Sequence, residues 1–377
     1  MKRQTYIITN IILAVLFISN NILSYDKIDY MRAVKRDRNL NGANLKGVDL
    51  IGADLYYADL RKADLREAIL YSANLRGADL RGADLTRADL YKADLYKTKF
   101  SGAKLLEANL CKAILYNSNL KDVNFAGANF NGTDLYNADL RGANLSNTDF
   151  SEAILIGADL TGADLTNADF YKANLIGAKL SNTKLNKANF SNANLTVAKL
   201  SGVDLTGAKI SNSDSSNANL SNSDLSRADL VNSRFNNAKL IKSALIGADL
   251  NNAILIGVNL SNTNLTNAIL TNTNLLTANL YKSNMSEANL QGANLKNANL
   301  RMVDFTGANL NKVDLQGADL TGATLIGANL DDADLAGADL RRAKISAELK
   351  NKINQHQVIN YDSISWEDVY IEKEKSK

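Results

Sequence analysis

From residue 40 to residue 345 an apolar side chain, most often Leu, recurs at nearly every fifth position. Two places before each of these slots, from Ala43 to Ala343, stands a small residue (Ala, Val, Thr or Ser), without exception or insertion over 61 consecutive five-residue words. Such a period suits neither regular element. On an α-helix, residues five apart are rotated by about 140° and would decorate every side; on a straight strand they would alternate faces. The chain must therefore turn once per word. Within a word the small residue and the Leu lie two apart, so both face one side of a short extended segment while the residue between them faces the other.

Glycine locates the turn. All 22 glycines stand in the second position after the Leu slot, and 16 asparagines share that position. Both residues tolerate the positive φ that the third residue of a type II turn requires. Arg87, Lys92 and Glu107 occupy the same slot, which predicts some corners of a second kind that need no positive φ.

A longer interval sets the circuit. Phe130, Phe150, Phe170 and Phe190 fall twenty apart, and Tyr96, Tyr116, Tyr136, Ile156 and Ile176 repeat the interval on outward positions. Four words per circuit stack these residues at sheet spacing. The expected fold is all-β: a tube of square section with about 15 coils, on the order of 70 Å long at ~4.8 Å per coil. Its lumen has room for two side chains per side, Ala and Leu, while the other positions meet water. The absence of proline fits a ladder that uses almost every backbone N–H.

Ser215 is the one polar residue in a Leu slot, and Phe235, one coil later, is expected to fill the space it leaves, with a small tolerated cavity as the alternative. In the slot before Leu, 24 Asp and 21 Asn dominate, and Lys99, Lys179, Lys184 and Lys199 interrupt what would be unbroken columns of like charge. These lysines read as stabilising neighbours of stacked carboxylates.

The word A-(D/N)-L-x-x, written here as GADL, RADL, GANL and NANL through residues 41–345, resembles that of the pentapeptide-repeat family. The resemblance implies a right-handed quadrilateral β-helix, in agreement with the spacing, and says little about activity. The best understood members inhibit DNA gyrase or protect it from quinolones, as acidic DNA-like dimers joined at their carboxyl ends. This array departs from them: it has no interrupting loop, and residues 41–345 hold 31 Lys and Arg against 31 Asp and Glu. The net charge of +3 comes from the ends. That balance argues against an extended basic track for direct nucleic-acid binding and against a polyanionic surface.

The ends differ from the array. Lys2 and Arg3 precede an apolar run, Ile7 to Ile18, broken only by Thr9 and Asn10. This order predicts a signal peptide over 1–24, hence a periplasmic or secreted protein. An uncleaved membrane anchor over 7–23 and a buried cap of a cytoplasmic protein are the alternatives. Residues 25–39 are expected to form a capping helix that lays Ile28, Met31 and Val34 on the first coil. In the tail, 346–377, a helix from Ser346 through Leu349 and Ile353 covers the other end. Trp366 and Tyr370 beyond it then either fold back or join a second subunit as a homodimer.

Candidate chemistry is sparse. One cysteine, Cys111, excludes an intrachain disulfide framework and any multi-cysteine metal site; it is placed outward between Tyr91 and Asn131 with no basic partner. His356, the one histidine, lies in the tail. Carboxylates sit in repeated columns and a convex tube has no natural cleft, so no catalytic, metal or cofactor residues are assigned and no enzyme is expected.

The outward slot after each Leu does carry a signal. Tyr56, Arg76, Tyr96, Tyr116, Tyr136, Ile156 and Ile176 share one column, a candidate binding strip for a protein or glycan, unless the stacked rings merely stiffen the ladder. A second column, Thr86, Ser146, Thr166, Thr206, Ser226, Thr266 and Thr306, is expected to hydrogen-bond from coil to coil. The reading that results is an exported, non-enzymatic interaction or structural rod. The alternative is a cytoplasmic inhibitor or protector of a topoisomerase such as DNA gyrase.

Overall fold

The computed structural model describes residues 25–353 and 357–367. The expected signal segment, the alternative anchor over 7–23, His356 and Tyr370 lie outside the described residues. One word shows how the tube is built. Leu160 N–H donates to Lys179 O of the next coil at 2.7 Å and Gly162 N–H to Ser181 O at 3.2 Å, while Asp164 N–H donates to Ala143 O of the preceding coil at 3.0 Å. Ala163 N–H closes the corner on Leu160 O at 2.9 Å. The fifth amide, Thr161 N–H, donates to Asp159 Oδ1 at 3.1 Å. All five donors of the word are thus satisfied, four by backbone and one by the acid just before the Leu. Parallel bridges between residues twenty apart run from Asn39–Asp59 to Asp339–Ile359.

The corners are uniform. Every corner slot from Gly42 to Arg342 has positive φ, +61° to +71° at the glycines and +52° to +61° elsewhere. The expectation of a second corner type is therefore wrong: Arg87, Lys92 and Glu107 sit at +60°, +56° and +56°. A corner of another geometry would shift the bridges of its own coil against both neighbours. Holding a side chain in the left-handed region, at about 1–3 kcal/mol, is the smaller cost.

The lumen confirms the twenty-residue circuit. Phe130, Phe150, Phe170 and Phe190 are buried in single file, with ring centroids 4.8, 5.0 and 4.7 Å apart and planes within 14° of parallel. Phe125 meets Phe130 edge-on at 5.0 Å. Ser215 and Phe235 are both buried. Where Ser or Thr replaces the lumenal Ala, its hydroxyl finds a carbonyl, as Thr98 Oγ1 does on Leu75 O at 2.8 Å and Ser118 Oγ on Leu95 O at 3.1 Å, except at Ser213, whose buried Oγ has no partner among the described residues.

Helix α1, Lys27–Val34, caps the first coil, but with the opposite face from the one expected. Ile28 and Val34 are 72 % and 50 % exposed and Met31 is exposed too; Ala33 is buried, and Tyr25 and Tyr30 pack on the core. The open edge of the first coil explains the rotation. Asn44 N–H donates to the Asp29 carboxylate at 2.9 Å, and Asp26 N–H to Asn44 O at 3.0 Å, so the edge needs the polar side of the helix.

At the other end the expected helix shrinks to one 3-10 turn, Ala347–Leu349. Ser346 does not cap it; its Oγ accepts from Gly327 N–H at 2.8 Å. The cover comes instead from residues 357–367, which return as a further coil. Strand β1, Thr324–Leu325, pairs in parallel with β2, Lys344–Ser346, which pairs with β3, Ser365–Glu367. The register there is Lys344 to Ser365, one residue longer than the array, absorbed at Asn360 with φ +61°. Ile353, Val358 and Ile364 are buried under this coil, and Tyr361 and Trp366 fold back onto their own chain.

Candidate functional site

Where an arginine after the Leu slot sends its guanidinium follows from the residue two places earlier. Arg61 stands after Asp59 and folds back on it: Nε donates to Oδ1 at 2.8 Å and Nη2 to Oδ2 at 2.7 Å. Arg81 and Arg141 do the same with Asp79 and Asp139. The Arg61 hydrogen bond holds the Asp59 carboxyl down at about 2. Arg76 follows Asn74, which offers no carboxylate. Its guanidinium reaches across the coil to Asp94 at 3.0 Å and lies 4.7 Å from the Tyr96 ring centroid.

Below it Tyr96 stacks on Tyr116 at 4.4 Å and 30°, and Lys97 Nζ lies 4.9 Å from the Tyr96 ring. The faces of Tyr96 are therefore taken by its neighbours. Tyr56 does not continue the stack; it meets Tyr57 edge-on at 4.4 Å. Tyr57 in turn lies across the corner at Gly77, where a Cβ would come within 2.6 Å of its ring. These residues with Arg76, Tyr96 and Lys97 line a notch of about 70 Å³.

Three contributors to this side of the tube escape a reading that follows one column. Ile114 and Ile154 occupy the slot otherwise held mostly by Asp or Asn, beside Tyr116 and Ile156, and Val197 takes a corner at φ +55°. Tyr136, Ile154 and Val197 are 45 %, 41 % and 47 % exposed. From Tyr116 to Ile176 the strip and its neighbouring column are apolar except for Asp134 and Asn174. The signal was present in the sequence, as an Ile where the word asks for a capping carboxylate or amide.

The remaining candidates are quiet. The hydroxyls of Thr86, Thr166 and Thr306 donate to Asp84, Asp164 and Asp304 within their own turns at 2.6–2.7 Å, and Ser146 and Thr266 likewise turn to Asn144 and Asn264. The expected bonding from coil to coil survives at Thr266, whose Oγ1 also lies 3.5 Å from Ser286 Oγ of the next coil, and is elsewhere outcompeted by the Oδ1 already at the corner. Lys179 and Lys184 reach Asp159 and Asp164 of the preceding coil at 3.2 and 3.4 Å, as expected. Cys111 Sγ donates to Asn131 Oδ1 at 3.7 Å, and burial pushes its thiol up from its ordinary value. Among the described residues no group of His, Cys, Asp and Glu is arranged to hold a metal ion, and no helix is long and apolar enough to cross a membrane.

A family profile described as pentapeptide repeats matches between residues 36 and 346. Among solved structures, the chain is similar to HetL, a pentapeptide repeat protein involved in heterocyst differentiation regulation from the cyanobacterium Nostoc, with 32 % identity over 67 % of this chain and 89 % of that one, and a TM-score of 0.18. It is similar to a pentapeptide repeat protein of the Arabidopsis thaliana thylakoid lumen, with 37 % identity over 26 % of this chain and 66 % of that one, TM-score 0.22. The plasmid-mediated fluoroquinolone resistance protein QnrB1 matches at 21 % identity over 57 % of this chain and 91 % of that one, TM-score 0.27. No curated protein matches. With its repeated word matched over about four-fifths of its length and its corners, ladders and lumen as described, the chain belongs to the pentapeptide-repeat family and folds as that family's right-handed quadrilateral β-helix.

Proposed function

We propose that the chain is a non-enzymatic, exported rod that acts by offering one face to a protein partner. The observation that carries the reading is the pair Ile114 and Ile154. Each replaces an acceptor that elsewhere satisfies the amide at a corner, and each is exposed, at 36 % and 41 %, so neither gains core burial in return. A breach of the local rule without a gain in the core marks a surface kept for contact. Both flank the tyrosine and isoleucine column. The aromatic rings favour a protein over a glycan, because Tyr96 and Tyr116 close their faces on each other and on Arg76 and leave little open ring for a sugar to lie on.

The test is capture from the native compartment with the wild-type chain and with a variant carrying Tyr96→Ser, Tyr116→Ser and Tyr136→Ser. Loss of a partner by the variant is expected; an unchanged set of partners would mean that the rings only stiffen the coils. Export is tested separately by sequencing the amino terminus of the mature chain. An intact Met1 on a protein retained inside the cell would remove that part of the reading.

A further inference from the structure

We infer that the carboxyl-terminal half of the strip is a self-complementary surface that pairs two copies of this chain antiparallel. The inference rests on this face being a binding surface and names its occupant. The array is neutral overall but banded along its axis. Residues 122–170 hold eight acidic side chains and one basic, and residues 171–242 hold ten basic and four acidic. At ~4.8 Å per coil the two bands are roughly 12 and 17 Å tall, each longer than the ~8 Å over which physiological salt screens a charge. They act as separate poles, and their boundary falls between Ile156 and Ile176.

Around that boundary the residues are paired by position. On the outside of the tube, the columns that hold Asp134, Tyr136, Val197 and Lys199 follow one another in that order. A two-fold axis perpendicular to the tube, at a level midway between Ile156 and Ile176, exchanges the outer two columns and the inner two. It sets Ile156 against Gly177 of the second copy and beside that copy's Ile176 at the same level, Tyr136 against Val197, and Asp134 against Lys199. Both charges lack an opposite neighbour within their own columns. Asp134 lies between Ile114 and Ile154, and Lys199 between Lys179 and Asn219, with the Lys179 ammonium turned to Asp159. An apolar centre with an acid on one flank and a base on the other is what an isologous contact requires. The contact spans about four coils, roughly 19 Å, and falls at the small, weak end of specific interfaces.

The experiment is sedimentation velocity of the full chain at about 100 μM, at low salt and at about 0.5 M salt. A dimer that dissociates at least partly at high salt is expected. Ile176→Asp should give monomers. Asp134→Asn, which keeps an acceptor for the Tyr136 amide, and Lys199→Asp should each weaken the dimer about threefold to tenfold. The doubly exchanged variant, Asp134→Lys with Lys199→Asp, should recover most of that loss. A wild-type chain that is monomeric at low salt, a dimer indifferent to Ile176→Asp, or a double exchange no better than its parts would each overturn the inference. A monomer that still loses a captured partner when its tyrosines are changed would sink this pairing and leave the binding strip standing.

Discussion

Ser226 N–H donates to Asp224 Oδ1 at 2.8 Å, and from Asn44 onward the same bond recurs along the tube wherever an acid or amide precedes the Leu slot. The reason Asp and Asn share this slot is geometric. Both carry an oxygen one bond beyond Cγ, at the reach that meets the amide two residues on. Asp224→Asn should therefore leave stability nearly unchanged, whereas Asp224→Ala should lose about 1 kcal/mol. Amide hydrogen exchange reads the effect directly, with Ser226 losing protection in the Ala variant alone.

The Phe file makes a second, larger prediction. Phe170 is buried with a ring stacked on each side, at 5.0 and 4.7 Å. Phe170→Leu restores the usual lumenal residue and removes two stacking contacts, a loss of about 1–2 kcal/mol. Phe170→Ala adds a cavity that the flanking coils cannot close without breaking their bridges, and should cost about 3–5 kcal/mol. Urea midpoints of the two variants should fall in that order.

Acid should weaken the first coils through the Asp–Arg turns. Arg61 holds the Asp59 carboxyl at about 2, and Asp64, Asp79 and Asp139 are lowered by their own arginines. A carboxyl whose folded value lies below its unfolded value of about 3.9 contributes fully above that pH and loses its contribution as pH falls through the folded value. The contribution of Asp59 should thus disappear between about pH 4 and pH 2. Arg61→Gln should lower the melting temperature at pH 7, and the difference from wild type should vanish near pH 2.

How much of this was legible beforehand depends on what a period can encode. The interval between Leu160 and Leu165, the small residue at Ala163 and the glycine at Gly162 carry the tube, because each slot answers to one steric demand. The role of Asp159 was not legible in the same way, since a preference for Asp or Asn suits a charge column and a capping bond equally. The buried face of helix α1 is hidden from the sequence for a different reason. The demand of Asn44 N–H for Asp29 arises only once the first coil exists, and apolar spacing at Ile28, Met31 and Val34 cannot report it. Arg61 follows Asp59 where Arg76 follows Asn74, a difference that acquires meaning once the corner brings residues two apart together.

Val197 is the sharpest conflict between local chemistry and position. A β-branched residue at φ +55° is strained by about 1–3 kcal/mol, and its exposed side chain recovers none of that inside its own chain. Val197→Gly removes the strain and adds freedom to the unfolded chain, worth about 0.4–1 kcal/mol in the opposite sense, so a net gain of about 1 kcal/mol is expected. Thr277 is the control: it sits at φ +56°, but its Oγ1 donates to Leu276 O at 2.7 Å, so Thr277→Gly removes a hydrogen bond together with the strain and should gain less. If Val197 is kept for contact, the more stable Val197→Gly chain should also self-associate more weakly. Thermal melts of dilute protein and sedimentation of concentrated protein would then move in opposite directions for one substitution, a result that strain relief alone does not produce.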